Sequence, residues 1–287
     1  MDFTFRYWKT LVKGSFTLLL NKPLNMILPI VAWIFVFCGF RHFTPLRILL
    51  GIAAAIIFML LWVLISSAII TAKNSRYMKV LNDKGYSKEY LDAFQREKII
   101  GKPFNAMNSV MYAEIFMRMG SPEEAIKYLN AVKVPSDQIN TKICYFYIYA
   151  ISALKIGRLD IAEDEWRRSG DFAAKRQNSF GYDTSAQLLY LAMATIDCYA
   201  GRYQRAYEQT TAFLGSKYAR KSYSPSGIIS LRILLMYELK MLGKMEEFKS
   251  LEAELEHELA DFKPFLDCDK KYLAEDFEKA RNGILPL

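Results

Sequence analysis

Four cysteines, two histidines and thirty carboxylates are the side chains of this 287-residue sequence with the most chemistry to offer. The cysteines are the first to be set aside. Cys38 sits in an uncharged apolar stretch, and Cys144, Cys198 and Cys268 are far apart, so no two have the spacing of a zinc knuckle or a redox pair. Four cysteines in a chain of this length also exclude a disulfide scaffold, and buried, reduced thiols are expected. His42 and His257 have no neighbouring nucleophile to serve, and two histidines do not build a metal site. Glu252, Glu254, Glu256, Glu258 and Asp261 share one C-terminal segment with Lys249 and Lys263, which reads as a solvated helical face laced with ion pairs. Asp197 differs, because it stands among Leu191, Met193, Ala194 and Tyr199. A carboxylate buried there needs a partner, and a nearby Arg or Tyr would serve, so a structural ion pair is expected before a catalytic acid. There is no phosphate-binding glycine loop, no Gly-x-Ser-x-Gly and no His-Glu-x-x-His. The expectation is a protein without catalysis, metal or cofactor.

The elements that carry these residues fall into two regimes. Pro23 to Phe40 is uncharged over 18 residues, and Ile48 to Ala72 over 25. As helices they would be roughly 27 and 37 Å long, against a hydrocarbon core of roughly 30 Å, so spans over 23–40 and 48–72 are expected as a transmembrane hairpin. The seven residues from Arg41 to Arg47 would close it. Lysines and arginines crowd the outer flanks (Arg6, Lys9, Lys13 and Lys22 before; Lys73, Arg76, Lys79, Lys84 and Lys88 after), while the loop has only Arg41 and Arg47. This asymmetry predicts that both termini are cytoplasmic and that the protein resides in a cell membrane. The pattern does not suit a cleaved signal peptide. Residues 1–22 place Trp8, Leu11, Val12, Phe16 and Leu19 at helical spacing opposite Arg6, Lys9 and Lys13, the pattern of a basic interfacial helix. Residues 73–103 form a basic juxtamembrane linker. The net charge of +8 lies in these first 103 residues, and the remainder is near neutral. That distribution suits anionic lipid headgroups and argues against nucleic acid.

From about residue 86 the apolar period is that of amphipathic helices, with no alternating strand pattern, so an all-α fold is expected. Helices are predicted near 87–100, 104–119, 122–132, 137–156, 159–168, 184–200, 203–214, 226–242, 245–260 and 267–281. Four stretches share a phrase: Met119-Gly120-Ser121, Ile156-Gly157-Arg158, Ala200-Gly201-Arg202 and Leu242-Gly243-Lys244, each ending a long helix and opening another. Glycine there takes the left-handed conformation that stops the first helix. Ala125, Ala162 and Ala206, five residues later, and Ala113, Ala150 and Ala194, seven before, allow close packing of the two helices.

This phrase resembles the tetratricopeptide repeat, a pair of antiparallel helices stacked into a superhelix. The likeness covers roughly 104–260 within a domain drawn as 104–287 with a C-terminal capping helix. Leu129 and Trp166 stand at the usual large apolar place. Departures are the glycine spacings of 37, 44 and 42 against the family's 34, Asp197 in the third unit, and Met236 and Phe248 at the small-residue places of the fourth. Asp171–Asp183 and Gly215–Ser226 are the segments expected to absorb the excess length. The resemblance implies a concave surface lined by the first helix of each pair. Carried over, its apolar positions are Met107, Val110, Met117, Tyr147, Ile151, Leu154, Leu188, Leu191, Ile233 and Tyr237, with Glu114, Thr195, Ser230 and Lys240 among the polar ones. Such a face suits an amphipathic helix or extended peptide, unless the chain's own helices 87–100 or 267–281 already fill it. The expectation is a membrane-anchored scaffold for a protein or peptide partner, resembling repeat proteins of bacterial inner membranes. The rivals are a subunit of a larger membrane complex, packing through small residues such as Gly51, Ala53 and Ser66, and a membrane-surface enzyme or small-molecule or lipid binder built around Asp197.

Overall fold

The computed structural model describes residues 76–99, 105–179, 182–221, 225–264 and 266–287, together with Ala53, Ile57 and Leu61. The chain divides into two compact units, Met1–Lys79 and Val80–Leu287. In the first, the described residues are Ala53, Ile57, Leu61 and 76–79, all helical. The expected interfacial helix, both expected spans and Lys73 lie outside the described residues. Among the described residues no helix is long and apolar enough to cross a membrane.

The second unit is all-α among its described residues. Residues 80–84 are helical, and α1 (Lys88–Phe94) follows and runs into a π-helical turn, Gln95–Ile99. Next come α2 (Ala106–Arg118), α3 (Pro122–Asn130), α4 (Ile139–Lys155), α5 (Leu159–Arg176), α6 (Tyr182–Tyr199) and α7 (Tyr203–Leu214). A short α8 (Lys217–Lys221) precedes α9 (Pro225–Met241), α10 (Met245–Asp261) and α11 (Asp267–Arg281). Two features differ from the periodicity. The short α8 lies inside an expected insertion, and α5 runs eight residues past its predicted end at 168.

Four helix pairs result: α2 with α3, α4 with α5, α6 with α7 and α9 with α10. Each pair turns in the same way. Gly120, Gly157, Gly201 and Gly243 have φ between 72° and 79°, the left-handed region open to glycine. The residue after each glycine donates its N–H to a carbonyl five residues back: Ser121 to Phe116, Arg158 to Ala153, Arg202 to Asp197 and Lys244 to Leu239, at 2.8–3.0 Å. Each glycine N–H bonds a carbonyl three residues back, completing a Schellman turn. Ala113, Ala125, Ala150, Ala162, Ala194 and Ala206 are all buried where the paired helices meet. In the fourth pair Met236 and Phe248 are buried at the corresponding places.

The pairs stack in sequence order. Each first helix packs on the next, α2 on α4, α4 on α6 and α6 on α9, and each second helix also touches the first helix that follows it. α11 continues the series by packing on α9 and α10, and it ends in a fifth Schellman turn at Gly283.

The two ends of this series are joined. The Asp267 N–H donates to Asn82 Oδ1 at 2.8 Å, and Asn82 Nδ2 donates to Asp267 Oδ2 at 3.2 Å. The Tyr86 N–H donates to the Tyr272 hydroxyl at 3.0 Å. Gly85, with φ of 66°, sits against that hydroxyl so closely that a Cβ would collide with it. From there Tyr90 and Phe94 lead back to the first pair, where Phe94 meets the Tyr112 ring at 6.4 Å. Residues 82–94 therefore bridge from α11 to α2.

Candidate functional site

The inner face of the pairs is where the sequence placed a partner. Of its ten named apolar residues, Val110, Met117, Tyr147, Ile151, Leu154, Ile233 and Tyr237 are buried, Leu188 and Leu191 are partly buried, and Met107 alone is exposed, at 42%. Much of this face is covered by the chain itself. Ile233 and Tyr237 pack in a cluster with Leu273 and Phe277 of α11. Val110, Met117, Tyr147, Ile151 and Leu154 belong to the cluster shared by the first two pairs, and Leu287 packs on it. Residues 267–281, one of the two segments weighed as internal occupants, are thus part of the cover, together with the four residues that end the chain.

What stays open on this face is a cleft of about 60 Å³, room for a few waters. Met117, Arg118, Tyr147, Ile151, Lys155, Leu191, Thr195, Asp276, Pro286 and Leu287 are among its walls. The cleft has more charge than the apolar list suggested. The Arg118 guanidinium lies over the Tyr86 ring, 5.8 Å from its centre. Nearby, burial raises the Asp269 carboxyl to about 6; Arg118 opposes this rise and Glu114 adds to it. Lys155 Nζ donates to the Leu287 carbonyl oxygen at 3.0 Å. A mixed set of cations and carboxylates beside apolar walls can hold the backbone and apolar side chains of a peptide. It offers no nucleophile paired with a base.

Asp197 is fully buried, and its partners are two arginines, Arg202 at the turn that follows it and Arg205 in the first turn of α7. Arg205 grips it bidentately, Nε to Oδ2 at 2.7 Å and Nη2 to Oδ1 at 2.6 Å, and Arg202 Nε reaches Oδ1 at 2.8 Å. Arg202 also bonds Glu163 of α5 at 2.8 Å. The Asp197 backbone carbonyl accepts the Schellman bond from the Arg202 N–H. Side chain and backbone therefore clamp one turn, as the sequence demanded of a carboxylate in an apolar helix. Asp197 does not line the cleft on the inner face.

A second buried carboxylate escaped the sequence reading. Glu238 on α9 has no exposed surface, yet among the described residues no cation acts on it. The Thr210 hydroxyl donates to Oε1 at 2.9 Å and the Cys198 thiol at 3.8 Å, while Oε2 has no partner. Burial raises its pKa to about 8, against the pull of those two donors, so at neutral pH it is mostly the neutral acid. The signal was available: Glu238 interrupts Ile233 to Leu239 as Asp197 interrupts α6. Cys144, Cys198 and Cys268 are free thiols, and burial pushes each thiol pKa up, Cys144 and Cys268 to about 12. Among the described residues no three His, Cys, Asp or Glu side chains converge as a metal site. Arg76 and Lys79 are helical and exposed; the remaining residues named for the membrane surface lie outside the described ones. Comparison with protein families, curated proteins and solved structures finds no match for this chain.

Proposed function

We propose that this chain is a membrane-anchored helical-repeat scaffold that works by binding a protein or peptide, without chemistry of its own. The observation that carries the repeat part is the fourfold recurrence of one Schellman turn between helices packed through small residues, in a regular neighbour-to-neighbour series. Such a series offers a long surface and little else, which is the use made of helical stacks in general. The tetratricopeptide likeness belongs to this reading. The membrane part rests on the uncharged stretches 23–40 and 48–72 and the basic residues around them. Ala53, Ile57 and Leu61 support it: four residues apart, they share one helical face, and Ile57 and Leu61 are 58% and 51% exposed. Exposed aliphatic side chains in helical register want lipid or another protein. The two-span hairpin with both termini in the cytoplasm follows from the same flanks.

Two experiments test this. Reporter fusions at residues 44 and 287 should read as exported and cytoplasmic respectively; an exported reporter at 287 sinks the topology. Capture from detergent extracts, with the full chain and with one ending at Lys79, should retrieve a partner only with the former. A partner kept by the shortened chain would favour a membrane-complex subunit that packs through its spans.

A further inference from the structure

We propose that residues 284–287 are a built-in occupant of the inner face, and that an extended apolar peptide of a partner takes their place. This rests on the scaffold reading above and names the surface and chemistry that reading lacks. Three observations carry it. First, the turn at Gly283 aims the chain back over the stack: the Ile284 N–H bonds the Lys279 carbonyl at 2.8 Å, and a Cβ at Gly283 would touch Lys240. Second, the segment then crosses from one cluster to another. Leu285 packs on the cluster of the last two pairs, while Leu287 packs on that of the first two. Pro286 and Leu287 wall the cleft with Tyr147, Ile151 and Leu191, and Lys155 holds the Leu287 carbonyl. Third, the segment is bound as a ligand is bound. Tyr147 and Ile151 beneath it are buried, whereas Leu285, Pro286 and Leu287 stay partly exposed and Ile284 is 58% exposed.

The combination identifies the kind of guest. Proline holds its own backbone and that of the preceding residue extended, so the segment is no helix and has little freedom to lose on docking. Apolar side chains on either side of that proline fit the aliphatic walls, and the backbone oxygen of the residue after it fits Lys155. A partner strand with leucine-like residues flanking a proline satisfies the same surface. Because the resident segment is only half-covered, its local cost of release is low, and an incoming peptide with more contacts wins. Until then the resident segment reduces the apparent affinity for guests by the fraction of time it is docked.

The test uses a fluorescently labelled peptide with the sequence of residues 279–287 and the detergent-solubilised chain. Anisotropy should show the chain ending at Gly283 binding this probe at least tenfold tighter than the full chain, with a Leu287→Asp probe losing the binding. Leu287→Ser in the full chain should open the site without shortening it, giving probe affinity between the two. Equal affinity for full and shortened chains, or no binding by either, overturns the proposal. A shortened chain that loses its helical circular dichroism also overturns it, since the segment would then be part of the core. Partner capture is scored separately. Tight probe binding with no protein retrieved would sink the scaffold reading while leaving the displaceable segment standing.

Discussion

Asp197 and Glu238 are the same problem solved twice, less than a helix pair apart. Each is a carboxylate with no exposed surface on an otherwise apolar first helix. At the turn from α6 to α7 and the start of α7 the chain supplies Arg202 and Arg205, and the carboxylate is held in two ion pairs. On α9 it supplies a hydroxyl and a thiol, and burial favours the neutral acid. The difference is one of access. Arg202 and Arg205 have side chains 35% and 53% exposed, so they reach inward from water, whereas Glu238 faces α6 and α7 deep in the stack. Where a cation can keep one end wet, burying a carboxylate beside it is tolerable. Where none can, the proton stays on.

The largest expected effect breaks the first half of this comparison. Arg202→Ala with Arg205→Ala leaves Asp197 charged, buried and alone, and should lower the stability of the Val80–Leu287 unit by about 3–5 kcal/mol in urea unfolding. A loss below about 1 kcal/mol would mean that Asp197 reaches water or is protonated.

The second effect sharpens the other half through pH. Glu238 is raised from an ordinary 4.5 to about 8 in the folded chain, so the folded state binds the extra proton. Its contribution to stability is fully present below about pH 4.5 and is lost as pH rises to about 8. Melts across that window should show a decline of roughly 4 kcal/mol that is missing in Glu238→Gln. Parallel curves for the two chains would put the carboxyl in contact with solvent.

Two further changes supply the apolar reference. Trp166 is partly buried and touches the cores on both sides of α5. Trp166→Ala should cost roughly 2 kcal/mol, less than a fully enclosed aromatic, because part of its surface already meets water. A melt unchanged by this substitution would mean that the indole packs on neither core. The smallest effect has the opposite sign. Gly170 is helical and a Cβ there meets nothing within 4 Å, so Gly170→Ala should stabilise by about 0.5–1 kcal/mol. A loss of stability instead would mean that α5 is not continuous there.

That last residue also marks where the sequence stopped being readable. Ser169-Gly170 looks like a helix end, and α5 was predicted to stop at 168. It continues because Phe172 packs on Phe146 at 5.8 Å and Ala173 joins the same cluster, contacts with no local signature. The four glycine turns were legible because their cause is local: one left-handed residue and a small residue at a fixed distance. Asp197 was legible for the same reason, with its arginines five and eight residues on. The burial of the inner face was not. Nothing near Tyr147 or Ile151 announces that Leu287 will lie on them, and the bond between Asn82 and Asp267 spans 185 residues.

That long bond has a mechanical side. An open row of helix pairs frays from its ends, since each outer pair has a neighbour on one side only. Here residues 82–86, which lead into α1, are tied to α11 through Asn82 with Asp267 and Tyr86 with Tyr272, so neither end is free to peel away by itself. Opening anywhere requires either breaking that clasp or disrupting the middle. Amide exchange in α2 and α11 should therefore slow towards the rate of α6, and a pull applied at Val80 is taken up first by α11, at the far end of the sequence.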